Sequence, residues 1–150
     1  MNCAININQF SKKNIFCQEA IKNTVMDNSN FIRILYSTDY FTLNGLYVKF
    51  CLHGINIEKF FNKYKCNFDQ NLNKNYINKL IYIENTVIQT INNNKIPQYR
   101  IKDQLHSGYI KTFMNNMESK NIKHFILKIS GIWETESECG LTFKFLEIED

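Results

Sequence analysis

One stretch of this chain keeps a helical hydrophobic period, and alternating segments flank it on both sides. Between residues 73 and 91 the apolar side chains fall at Tyr76, Ile77, Leu80, Ile83, Val87, Ile88 and Ile91. Steps of one, three and four draw a single stripe along a helix, which is core material and not a site. Asn73 or Asn75 can cap its start, and the run Asn92-Asn93-Asn94 with Pro97 ends it. Before the helix, residues 31–37 put Ile32, Ile34 and Tyr36 on one face and Phe31, Arg33 and Leu35 on the other. Residues 46–52, fed by the turn Leu43-Asn44-Gly45, set Leu46, Val48, Phe50 and Leu52 against Tyr47, Lys49 and Cys51. After the helix, residues 122–133 read as a long strand and residues 141–148 as the second arm of a hairpin.

Weaker segments complete the pattern. Residues 14–21 are loosely extended, and 109–113 make a short strand. In 56–64, Ile57, Phe60, Phe61 and Tyr64 also fit a helix, but Tyr64, Cys66 and Phe68 alternate and favour a strand. Residues 99–105 are extended or one short helical turn. The order strands, helix, strands predicts an α+β domain over residues 1–150. Its expected form is a β-rich, OB-like barrel or twisted antiparallel sheet around one long amphipathic helix.

Composition agrees with a folded domain. A chain of 150 residues with 44% apolar side chains, one proline and five glycines is neither disordered nor collagen-like. No apolar run approaches the length of a transmembrane helix, and Met1-Asn2-Cys3-Ala4 lacks the start of a signal peptide. The five cysteines, Cys3, Cys17, Cys51, Cys66 and Cys139, are odd in number and scattered, which fits reduced thiols inside a cell. Cys51, His53 and Cys66 offer three zinc ligands without a fourth, so no metal is expected. His53, His106 and His124 are far apart in sequence, and Glu134, Glu136 and Glu138 alternate in a turn that reads as a solvated loop. No phosphate loop or nucleophile elbow occurs, and neither a cofactor nor catalysis is expected.

Charge and bias carry more information. Seventeen basic side chains against eight acidic ones lie in residues 1–132, a net of +9; one lysine against six carboxylates follows, a net of −5. A basic body suits a polyanion. Ile, Asn and Lys dominate, and sixteen lysines stand against only Arg33 and Arg100, a bias that follows AT-rich codons as much as fold.

If Ile32, Ile34, Val48 and Phe50 face inward, Phe31, Arg33, Tyr47 and Lys49 share an outer face. Lysines neutralise phosphates while aromatic rings stack bases, the way single-stranded nucleic acid is held. The expected phosphate contacts are Arg33, Lys49, Lys63, Lys65, Arg100 and Lys111; the expected stacking residues are Phe31, Tyr47 and Trp133. The alternative is that these aromatics complete the core and the lysines rim it.

Several stretches carry a resemblance: Asn30-Phe31-Ile32-Arg33-Ile34-Leu35-Tyr36-Ser37, Leu43-Asn44-Gly45-Leu46-Tyr47, Lys95-Ile96-Pro97 with Gln104-Leu105 and Gly108, and above all Ile129-Ser130-Gly131-Ile132-Trp133-Glu134-Thr135 with Gly140-Leu141-Thr142-Phe143-Lys144-Phe145. Spanning residues 30–145, they resemble a small protein family of nucleocytoplasmic large DNA viruses, related to phage-type OB-fold single-stranded-DNA-binding proteins. The resemblance implies a non-enzymatic, sequence-tolerant binder of single-stranded DNA or RNA in viral DNA replication or repair, in the cytoplasm, viral factory or nucleus. The chain departs from the family pattern in ending Phe145-Leu146-Glu147-Ile148-Glu149-Asp150, without a long acidic tail closed by an aromatic residue, so tail-mediated recruitment is not implied. The rival expectation is a viral structural or interaction module, without a membrane, forming homo-oligomers or contacting virion proteins through its sheet edges.

Overall fold

The computed structural model describes residues 4–91, 94–113 and 122–148; Met1, Asn2, Cys3, Asn92, Asn93, Glu149 and Asp150, invoked above, lie outside them. In chain order come β1 (Ile5–Asn6), two short 3-10 turns, β2 (Ile15–Cys17), β3 (Ile21–Lys22), β4 (Asn30–Ser37), β5 (Thr42–Leu43), β6 (Leu46–His53), β7 (Asn56–Phe60) and β8 (Lys63–Asn67). Helix α1 (Lys74–Gln89), β9 (Ile96–Gln98), α2 (Arg100–His106), β10 (Tyr109–Phe113), β11 (Ile122–Glu134) and β12 (Glu138–Glu147) follow. The α+β class holds. The sheet, however, is open and mixed: it runs β1-β6-β11-β12-β10-β8-β7, with β1 parallel to β6 and both β9 and β10 parallel to β12.

Strand β11 organises the molecule. One edge pairs with β12 along nearly its whole length, while the other changes partner. Residues 122–129 pair with β6, and residues 131–134 pair with β4. The change falls at a register shift between Ile129 and Gly131. A bulge bends a strand and reverses its alternation, so Ile129 and Ile132 both face the core. Gly131 is required there because β4 lies on top of it. A Cβ would meet the Ile32 carbonyl oxygen at 2.3 Å and the Phe31 ring at 2.6 Å.

The core face carries Ile32, Ile34, Leu46, Val48, Phe50 and Leu52 as the alternation required, with Phe125, Leu127 and Ile129 from β11. The α1 stripe (Leu80, Ile83, Val87) closes over it with Ile101 and Leu105 of α2. Among the described residues α2 therefore joins the expected long helix, and of the two options for residues 99–105 the helical one holds. The short one is specified from outside its own sequence: the buried Glu84 carboxylate of α1 accepts the Ile101 and Lys102 amides at 2.8 and 2.9 Å, satisfying donors that every helix start leaves open. Burial raises the Glu84 pKa above its ordinary 4.5, and these two bonds draw it part of the way back.

The open reading of residues 56–64 resolves in favour of the expected strand, and the Asn73 cap is corrected. Residues 56–67 form the β7–β8 hairpin, turning at Phe61, whose positive φ of 55° no helix provides. Asn73 stands at the start of α1 but does not cap it. Its amide is buried and accepts from the His53 N–H (2.8 Å) while donating to the His53 and Asp69 carbonyls (2.8 and 2.6 Å), tying the end of β6 to the helix.

Candidate nucleic-acid interface

The register assembles the face of the sheet opposite the helices. At the β4 end, Phe31 stands opposite Trp133, which stands opposite Gly140; Arg33, Gly131 and Thr142 form the next row. Beyond the bulge come Tyr47, Lys128 and Lys144, then Lys49, Ile126 and Leu146. Trp133 and Ile126 are buried yet stand outside the core cluster, as this placement requires.

The Tyr47 row continues across the sheet. Thr112 and Phe145 are aligned between β10 and β12, and both are buried. One residue earlier in each strand, Lys111 and Lys144 are therefore neighbours on the outer face. Lys111 is aligned with Lys65, and Lys65 with Glu58. Four lysines, Lys128, Lys144, Lys111 and Lys65, thus lie abreast on four adjacent strands, a span of about 14 Å at the inter-strand spacing. Glu58 is the only carboxylate in that row.

Like charges directly opposite each other destabilise a sheet by about 0.2–1 kcal/mol per pair. Aromatic rings offset part of this. Lys128 lies 5.7 Å from the Tyr47 ring centre, and Lys65 and Lys111 lie 4.5 and 6.0 Å from that of Tyr109. Lys63, Lys65, Lys111 and Tyr109 share a cavity of about 400 Å³ with Glu58 and Lys59.

Among the nine residues singled out from sequence, Phe31, Arg33, Tyr47, Lys49 and Trp133 lie on the β4–β6–β11 part of this face. Lys63, Lys65 and Lys111 gather on its β8–β10 side, and Arg100 arrives from the start of α2. Trp133 is corrected as a free stacking platform. Only 3% exposed, its indole lies over Gly140 and beneath the Arg100 guanidinium, 5.0 Å from the ring centre. A base arriving here meets Arg100 first. Lys128 and Lys144 were missed, although the alternation of residues 122–133 and 141–148 already placed them opposite apolar partners.

The other chemical candidates make contacts within the fold. Burial pushes the Cys66 thiol up to about 12. Cys51 Sγ lies 3.6 Å from His53 Nε2 and donates to the Tyr76 hydroxyl at 3.4 Å. Glu134 is not simply solvated, since it pairs with Lys95 at 3.4 Å. Among the described residues, no three His, Cys, Asp or Glu side chains are grouped to hold a metal ion, and no helix is long and apolar enough to cross a membrane.

No family model matches this chain, and neither a curated protein nor a solved structure matches it.

Proposed function

We propose that the protein is a non-enzymatic, sequence-tolerant single-stranded nucleic-acid-binding protein whose outer sheet face is the binding surface. The row Lys65–Lys111–Lys144–Lys128 carries this reading. A sheet that sets four cations abreast gains stability when a polyanion lies along them. Tyr47, beyond Lys128, and Tyr109, beside Lys65 and Lys111, supply rings for bases, at about 1–3 kcal/mol per stacked base. An OB-like arrangement is supported by β11, a bent strand shared between β6 and β4 at a glycine bulge, the device that turns barrel corners. The resemblance of the terminal hairpin to a viral family supports a role in viral DNA replication or repair, inside the host cell.

Fluorescence polarisation of a labelled oligonucleotide of about 20 nucleotides, beyond the site size of one OB fold, tests it across a salt series. Four neutralised phosphates give a log–log slope of about −2.8. Failure to retain the oligonucleotide at low salt sinks the proposal. A second reading, a structural or interaction module pairing through its sheet edges, is favoured by β7, which ends the strand order with no outer neighbour among the described residues. Light scattering would then show concentration-dependent oligomers indifferent to oligonucleotide.

A further inference from the structure

The two arginines of this lysine-rich chain meet in one groove. Where sixteen cations are lysine, the two exceptions at Arg33 and Arg100 ask for a physical reason. Arg33 lies 5.8 Å from the ring centre of Phe31, and Arg100 lies 5.0 Å from that of Trp133. Phe31 and Trp133 are directly opposed across β4 and β11, so both guanidiniums stand over one aromatic pair. A guanidinium can lie over a ring and still present several donors in a fixed fork, which an ammonium cannot do; Arg33 spends Nη1 on the Asn44 Oδ1 at 3.2 Å and keeps its remaining donors.

The pair belongs to a groove of about 500 Å³, within the size range of small-molecule sites. Its rim is residues 21–26, where Ile21 is 59% and Val25 90% exposed. None of its lining residues is acidic, although the chain has fourteen carboxylates. The Trp133 Nε1–H is buried against Gly140 and has no hydrogen-bond acceptor among the described residues. An apolar, aromatic surface with two guanidiniums and no carboxylate describes a ligand with a planar body and a compact, doubly charged anionic end.

We propose that this groove binds a nucleoside monophosphate unit, either free or as the phosphorylated end of a strand. The base lies between Phe31 and the Ile21–Val25 rim, and the phosphate takes the donors of Arg33 and Arg100. The inference deepens the strand-binding reading and rests on it, adding a site that recognises one nucleotide to a row that holds many phosphates.

Trp133 is the single tryptophan, so its emission reports on the groove directly. The full chain is titrated with thymidine 5′-monophosphate, and with inorganic phosphate in parallel. The expected result is a saturable emission change with the nucleotide, weakened about tenfold or more in Arg33→Lys and in Arg100→Lys, which keep the charge and lose the fork. Circular dichroism confirms that both variants fold. No emission change up to about 1 mM nucleotide, the regime of weak small ligands, overturns the proposal. So does an equal response to inorganic phosphate, or unchanged affinity in both variants.

Two oligothymidines, one with a 5′-phosphate and one with a 5′-hydroxyl, separate the sources. A preference for the phosphorylated end assigns the groove to strand ends; equal binding of the two, with the mononucleotide still bound, assigns it to free nucleotide. A mononucleotide response without oligonucleotide retention overturns the strand-binding reading alone. Retention without that response overturns the groove alone.

Discussion

The two halves of β11 solve the same problem in opposite ways. From residue 122 to 129 it lies between β6 and β12, and its outer side chains include Lys128, abreast of Tyr47 and Lys144. From residue 131 to 134 it lies between β4 and β12, and its outer face is Gly131 under Phe31 and Trp133 over Gly140. The first half presents long, separately placed cations, which under the proposed function would meet phosphate as point charges. The second brings backbone and rings into contact, and only there do the two arginines appear. A tolerant surface needs spacing and charge; a selective one needs close approach. Glycine is what allows the approach.

The comparison breaks most visibly at its hinge. Gly131→Val forces a side chain into the Ile32 carbonyl and the Phe31 ring, and is expected to cost about 3 kcal/mol or more, in the class of severe overpacking. Thermal unfolding checks this, with a drop on the order of 10 °C for a chain of this length. Lys128→Ala, on the other half of the same strand, is expected to stay within about 0.5 kcal/mol. Equal losses at both positions would erase the distinction between the halves.

The lysine half is sharpened by the double substitution Lys111→Gln with Lys144→Gln. Removing two phosphate contacts is expected to make the salt slope of oligonucleotide binding shallower by about 1.4. Taking two neighbouring cations out of the row also stabilises the free protein, by about 0.2–1 kcal/mol per relieved pair. Urea unfolding and the salt series report the two effects separately, and a slope that does not move removes the row from the interface.

The smallest expected effect lies on the helix side, where the ionisable group at issue is an acid. Burial holds the Glu84 proton more tightly in the folded chain than in the unfolded one. Its contribution to stability is therefore complete below its ordinary value of 4.5 and is lost as pH rises through the higher folded value. Relative to Glu84→Gln, which has no proton to lose, the parent's urea midpoint should fall as pH is raised from about 4 towards neutrality. A pH-independent difference would show that the two amide bonds fully offset the burial.

The alternation alone put Phe31, Arg33, Tyr47 and Lys49 on one face, because period two needs no knowledge of the neighbouring strand. What it could not supply was register. Lys128 and Trp133 are an odd number of residues apart, which assigns them to opposite faces until the shift at Ile129/Gly131 reverses the alternation. The alignment of Lys144 with Lys111 depends on a parallel pairing between strands that are not adjacent in sequence. Helix α2 was legible only as one of two options for residues 99–105, for a similar reason. Its apolar signal is Ile101 and Leu105, and its start is satisfied by Glu84, seventeen residues from Ile101. In residues 56–64 the spacing of Ile57, Phe60, Phe61 and Tyr64 suited a helix, and a positive φ at Phe61 decided for the hairpin. The outward facing of Phe31, Arg33, Tyr47 and Lys49 was thus legible, whereas the grouping of cations into a lysine row and an arginine groove was not.

The central position of β11 also fixes when the protein can close during its own synthesis. Strands β4 and β6 are complete by His53, yet the strand between them and β12 ends only at Glu134. At about 5–20 residues per second, a translating ribosome needs about 4–16 seconds to make the intervening chain. For that interval two eight-residue strands wait with an edge open, in a nascent chain that cannot yet assemble its central sheet.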